Sequence, residues 1–313
     1  MSKDIKIFVA GHRGMVGSAI LKLFNENGYE NLLVVKKEDV DLCNQDAVRS
    51  LFENEKPELV ILAAAKVGGI NANTNFPAQF LYDNLMIQNN IIHASYIMGA
   101  TKIIFLGSSC IYPRNCPQPM QEDYLMSGRL EPTNEGYALA KIAGLKLLEY
   151  YYKEYKLKSI ALMPPNLYGP NDHFDLEKSH VLSALVKKIV DAKENNFSKV
   201  TLWGTGSARR EFMHVNDCAE AVLFFMENFD YINFVNIGWG NDVTIKELAN
   251  MITDKVAFKG EINWDTSKPD GMPRKCLNIQ KMREYGFYPR INLDTGIDEV
   301  IKIYYDIISK EKK

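Results

Sequence analysis

"IKIFVAGHRGMVGSAI", residues 5–20, decides the fold. Its apolar run Ile7-Phe8-Val9-Ala10 reads as a strand buried on both faces, and it ends in glycine. Gly11, Gly14 and Gly17 follow in GxxGxxG spacing and lead directly into a helical pattern. Small residues there let the backbone approach a pyrophosphate, which the N–H groups of a helix N-terminus bind, and let the helix lie close to the strand. Strand, glycine turn and helix together predict a dinucleotide loop made of Gly11, His12, Arg13, Gly14, Met15, Val16 and Gly17.

The same alternation runs on through "NLLVV" (31–35), "DAVRSLFENE" (46–55), "ELVILAAA" (58–65), a long helix from Pro77 to Met98, and "KIIFLGS" (102–108). A further helix from about Tyr137 to Tyr155 and a strand at "SIALMPP" (159–165) extend it. Apolar runs separated by helical periodicity predict a doubly wound parallel α/β sheet, a Rossmann sheet, with a smaller α/β lobe beside it. The pattern assigns residues 1–165 to nucleotide binding, with 214–238 returning to that part. It assigns 166–213 and 239–313 to a substrate lobe. Ligands of such sheets lie beyond the carboxyl ends of the strands, so the lobe closes a cleft there.

Composition narrows the function. With 313 residues, 46% hydrophobic and 24% charged, the chain can bury a large core as one two-part unit. A net charge of −2 points to neither a nucleic-acid nor a membrane partner, so an anionic ligand must be held by local cations. Five cysteines without a CxxC pair argue against a disulfide framework or a structural metal. The absence of a signal core or a bilayer-length apolar run leads us to expect a cytoplasmic protein.

The second strand decides between nicotinamide dinucleotides. Where an NAD site places an acid, "NLLVV" runs into Lys36 and Lys37, with Arg13 in the glycine loop. Cations suit a 2′-phosphate, which favours NADP(H), although Glu38 and Asp39 follow at once. Asp41 is placed to bond the adenine amino group.

"YALAK" sets Tyr137 and Lys141 one helical turn apart, on one face. An ammonium beside a phenol favours phenolate, so we expect Lys141 to lower the Tyr137 pKa and make it a proton donor. "LGSSCIYP" (106–113) brings Ser108 and Ser109 to the carboxyl edge of the sheet, where either hydroxyl can share a substrate carbonyl with Tyr137. Leu106 and Gly107 lead into this edge beside the nicotinamide.

Glycine loop, strand-end serine and YxxxK, in that order, resemble the extended short-chain dehydrogenase/reductase family. Further stretches, "AAAKVGGI", "LEPTNEGYALAKIAG", "NLYGPND", "SHV", "WGTG", "REFMHV" and "SKPDGMPRK", are similar over essentially the whole chain to its members that make GDP-L-fucose. Those enzymes epimerise C3 and C5 of GDP-4-keto-6-deoxymannose and then reduce C4 with NADPH. The resemblance gives Ser108, Tyr137 and Lys141 the reductase roles, and Cys110 and His180 the epimerase roles. It places Ser109 on the cofactor side and Pro164, Pro165, Asn166 and Leu167 around the nicotinamide, with Lys37 near the 2′-phosphate. It assigns Lys188, Trp203, Arg210 and Asp270 to the GDP-sugar, and it implies a homodimer whose two long helices pair into a four-helix bundle.

Without the resemblance, Cys110 reads more readily as a small buried hydrophobe, and His180 as a residue that caps or packs. The chain departs from the family at Gly136, where proline is usual, at Pro165, where threonine is usual, and at Lys37 and Lys188, where arginine is common. These positions flank the nicotinamide and the sugar, so a GDP-6-deoxy-4-keto-heptose, or another 4-keto sugar nucleotide, stands as the alternative substrate.

Overall fold

The computed structural model describes residues 2–175 and 179–311. In chain order, β1 (Ile7–Ala10), α1 (Met15–Glu26), β2 (Leu32–Leu33), α2 (Gln45–Glu55) and β3 (Leu59–Leu62) come first. Then follow α3 (Ile70–Asn75), α4 (Pro77–Ile97), β4 (Lys102–Leu106), α5 (Glu135–Tyr155), β5 (Lys158–Met163) and β6 (Asn166–Tyr168). The next elements are α6 (Val181–Glu194), β7 (Lys199–Trp203), β8 (Arg209–Arg210), β9 (Phe212–His214), α7 (Val215–Asn228) and β10 (Ile232–Asn236). The chain closes with β11 (Val243–Thr244), α8 (Ile245–Val256), β12 (Glu261–Asp265), β13 (Arg274–Lys275), α9 (Gln280–Glu284) and α10 (Leu293–Glu311).

The main sheet has six strands in the order β10-β5-β4-β3-β1-β2, every pair parallel. All residues of β1, β3 and β4 are buried, as continuous apolar runs require when helices cover both faces. The connections leave β1 towards β2 on one side and β3 on the other, so a crevice opens at the carboxyl ends of β1 and β3. Helix α1 packs on α7, and α4 packs on α5 and α2.

A second core gathers Leu182, Val186, Ile189, Leu202, Phe212 and Leu248 with Ile297 and Val300 of α10. The short sheet β11-β8-β13 spans the region between the two cores, and beyond it Leu277, Ile279, Met282 and Phe287 pack into the first. Two elements differ from the periodicity. The second strand keeps only Leu32 and Leu33, because it lies at the sheet edge, half-buried, and runs out into exposed Val34 and Lys36. The short helix α3 was not predicted; it starts after Gly69 and lies against the turn at Pro132–Asn134.

Candidate active site

One cleft of about 1000 Å³ runs along the carboxyl ends of β1, β3, β4 and β5 and under the second lobe. That is the upper end of the range for a ligand pocket.

The glycine loop forms its floor at one end. Gly11 adopts φ +91°, and a Cβ there would come within 2.6 Å of the Ala64 nitrogen. Gly17 does not line the cleft: a Cβ on it would overlap the Gly11 carbonyl, so this glycine serves the close approach of α1 to β1. Gly14 is the N-cap of α1 and offers no side-chain cap, which leaves the first-turn N–H groups for a ligand. A bare, positively polarised helix end facing a cleft fits a pyrophosphate. His12, Arg13, Met15 and Val16 line the same end, with Lys37 and Asp41. Burial lowers the His12 pKa, and the nearby Arg13 and Lys36 charges lower it further, which marks this end as electropositive. Arg13 rests 3.3 Å from Glu38 in an exposed pair.

Ser108 closes β4 and caps the turn Ser109–Ile111, its Oγ accepting from the Cys110 N–H at 3.2 Å. Ser109 is buried, and its N–H donates to the Pro164 carbonyl at 3.0 Å, so Ser108 is the more accessible hydroxyl. Leu106, Gly107, Ser108, Ser109 and Pro164 to Leu167 all line the cleft, as do Tyr137 and Lys141. The expectation for the phenol has the wrong sign in this structure. Burial, then the nearby Cys110, push the Tyr137 pKa well up, and a hydrogen bond with Ser108 only partly opposes them. Lys141 donates to the Leu106 carbonyl at 2.7 Å and sits 5.9 Å from the centre of the Tyr137 ring, too far to overcome desolvation. Tyr137 is therefore a firmly protonated phenol at neutral pH, the form that donates a proton.

Burial also pulls Lys141 down to about 8. Since the folded pKa lies below the unfolded one, the native state binds fewer protons between about pH 8 and 10.5, and stability there rises with pH. Replacing Lys141 with Met should stabilise the ligand-free protein by about 1–3 kcal/mol at pH 7, the lost carbonyl bond offsetting part of the removed charge. It should also flatten that alkaline rise; chemical denaturation at pH 7 and 10 measures both.

Cys110 is the most unusual group. Its Sγ receives Asn134 Nδ2 at 3.2 Å and Lys275 Nζ at 3.3 Å. Burial opposes the thiolate, but Lys275, Ser108 and Arg210 together outweigh it and bring the thiol below its ordinary value. Neither Lys275 nor Asn134 was singled out in sequence. The only signal for Lys275 is its place at the end of "SKPDGMPRK". His180 is the N-cap of α6, makes no capping bond with its ring, and lines the same cleft.

At the far end, exposed Trp203 at the end of β7 has two ammonium groups near its ring, Lys188 at 5.6 Å and Lys268 at 5.5 Å from the centroid. Arg210 spends its guanidinium on the carbonyls of Arg209 (2.8 Å) and Asp270 (3.0 Å), which fixes it in the wall. The Asp270 carboxylate accepts from the N–H and hydroxyl of Thr205, both at 2.8 Å, so it shapes the loop after Trp203 as well as lining the cleft. Gly136 has a local reason: a Cβ there would stand 2.8 Å from the Pro77 carbonyl, so α4 begins where a proline ring would need to be.

The sequence profile of the NAD dependent epimerase/dehydratase family matches residues 7–238. The chain is 49% identical over 302 residues, 96% of its own length and 94% of the relative's, to GDP-L-fucose synthase 1 of Arabidopsis thaliana. Among solved structures, a GDP-6-OMe-4-keto-L-xylo-heptose reductase from C. jejuni matches with a TM-score of 0.93 at 35% identity, covering 98% of this chain and 99% of that one. A GDP-D-glycero-L-gluco-heptose synthase from Campylobacter jejuni, solved in the presence of NADPH, matches with a TM-score of 0.88 at 36% identity, over 98% and 99% of the two chains.

Proposed function

The chain belongs to the NAD dependent epimerase/dehydratase family, and we propose that it epimerises C3 and C5 of a GDP-4-keto-6-deoxy-hexose and then reduces C4, as in GDP-L-fucose synthesis. It is an NADP-dependent oxidoreductase. The observation that carries the reading is the meeting in one cleft of a reductase set, Ser108, Tyr137 and Lys141, with a thiol held by Lys275 and Asn134.

The chemistry follows from the ketone. A carbonyl at C4 acidifies the protons on C3 and C5, so one base and one acid on opposite faces can invert each centre. Cys110 takes the proton as thiolate, the electron pair moves into the enolate, and His180 returns a proton to the other face. Ser108 and Tyr137 hold the enolate oxygen by hydrogen bonds. Held at the glycine loop by residues 11–16, a bound NADPH would supply the hydride that C4 receives. Tyr137 then gives its proton to the alkoxide, and Lys141, bonded to the Leu106 carbonyl, restores charge balance behind it. Lys188, Trp203, Arg210 and Asp270 receive the guanosine diphosphate, the cations facing its phosphates.

We place a second copy of the chain on α4 and α5, where Tyr82, Ile97, Leu139 and Tyr150 are exposed, between 44% and 62%. Such a stripe on adjacent helices is a helix-bundle face, and light scattering would read the dimer mass. Among the described residues no helix is long and apolar enough to cross a membrane, and all five cysteines are free, which fits a reducing cytoplasm.

The likeness to C. jejuni heptose enzymes, with Pro165 lining the cleft, keeps a 6-deoxy-4-keto-heptose as the second substrate to test. Assayed side by side with NADPH, the hexose should give the higher kcat/KM and a product inverted at C3 and C5. A higher kcat/KM for the heptose, reduced without inversion, would move the assignment.

A further inference from the structure

We propose that Lys275 is a positioning residue for the C3 and C5 proton transfers: its ammonium group holds the Cys110 sulfur as an anion aimed into the cleft. The inference rests on the epimerase reading above and deepens it.

The geometry is specific. Lys275 Nζ stands 3.3 Å from Cys110 Sγ, although the residues are 165 positions apart, and Asn134 Nδ2 approaches the same sulfur at 3.2 Å. Sulfur that accepts from an ammonium and an amide is placed as a thiolate is placed, not as a buried hydrophobe. Lys275 is itself half-buried and forms no ion pair with any carboxylate among the described residues, whereas its neighbour Arg274 pairs with Asp242. A partly buried ammonium without a carboxylate needs a counter-anion, and the sulfur is the group within reach.

The fold holds this lysine in place. Lys275 pairs in register with Arg210 of β8, so two cations stand side by side on the cleft wall. Glu211 fixes the register: its N–H donates to the Lys275 carbonyl at 3.1 Å, and its fully buried carboxylate accepts from the N–H groups of Gly240 and Leu277, each at 2.7 Å. Lys275 of β13, Arg210 of β8, Tyr137 of α5, and Ser108 and Asn134 beside its own turn face Cys110, and the carboxylates of Asp270 and Glu131 in the same cleft act on Arg210. The charges that act on the sulfur directly, those of Lys275 and Arg210, are both cations.

In the reaction the carbon–hydrogen bond at C3 or C5 breaks, the proton passes to Sγ, and its electron pair enters the enolate. Lys275 transfers no proton and acts only by favouring the anion before transfer.

The test reads the sulfur directly. The rate of Cys110 alkylation by iodoacetamide, followed on its peptide by mass spectrometry across pH, gives a midpoint that needs neither cofactor nor substrate. Lys275→Met should raise that midpoint by about one pH unit, and Lys275→Arg should return most of the shift. With NADP⁺ and GDP-4-keto-6-deoxymannose in deuterated water, deuterium wash-in at C3 and C5 at pH 7 should slow about tenfold in Lys275→Met and recover in Lys275→Arg. An unchanged midpoint in Lys275→Met, or unchanged wash-in, overturns the proposal. A shifted midpoint in a protein whose wild type shows no wash-in upholds the Lys275–Cys110 pairing and removes the epimerase reading instead.

Discussion

Tyr137→Phe is expected to lower the rate of C4 reduction by about 10³-fold, measured as NADPH oxidation in single turnovers. The phenyl ring keeps the packing of this half-buried side chain, so folding is preserved and the loss is chemical. The missing hydroxyl is both the proton donor to the alkoxide and one of two donors to the developing oxyanion, and Ser108 alone cannot replace the first of these roles. Because burial holds the Tyr137 phenol protonated well beyond neutral pH, wild-type reduction should show no loss from its ionisation between pH 6 and 9. Deuterium exchange at C3 and C5 should suffer less, about tenfold, since Ser108 still binds the enolate oxygen. A Phe variant within tenfold of wild type in reduction would remove Tyr137 from the proton-donor role.

Cys110→Ser should lower C3 and C5 exchange by about 10³-fold or more while NADPH oxidation continues. A serine hydroxyl fills the site but does not ionise near neutral pH, and Lys275 and Asn134 would then hold a neutral oxygen. The product should therefore keep the C3 and C5 configuration of the substrate. The pH profile carries a second sign. The thiolate is the active form, so wild-type exchange should rise as pH passes through the lowered Cys110 pKa, and the Ser variant should lose that rise. Loss of both activities in equal measure would show that Cys110 supports the cleft without acting as the base.

Much of this architecture is written locally. Runs such as Leu59–Leu62 and residues 103–106 are apolar without alternation because both sheet faces are covered, and a one-dimensional pattern records that directly. Part of the glycine turn is legible for the same reason: Gly17 answers to the Gly11 carbonyl six residues before it, whereas the approach of Ala64 to Gly11 crosses from another strand. The contact between Lys275 and Cys110 is not local. It depends on the register of β13 against β8, two-residue strands whose pairing is set by the buried Glu211, and no spacing in the chain announces it. The sign of the Tyr137 shift was hidden in a different way. Helical spacing correctly places Lys141 on the same face, but it says nothing about how far desolvation exceeds attraction, or that the ammonium turns to the Leu106 carbonyl. Helix α3 escaped because six residues rich in asparagine carry no amphipathic period.

The central claim is that one cleft performs proton exchange and hydride transfer on the same sugar. It is tested most directly by incubating the wild-type enzyme with NADPH and GDP-4-keto-6-deoxymannose in deuterated water and analysing the product by mass and by NMR. The account predicts one NADPH oxidised per product, with deuterium at both C3 and C5 and inverted configuration at each. NADPH oxidation giving a product with protium at C3 and C5 and the substrate's configuration would contradict it.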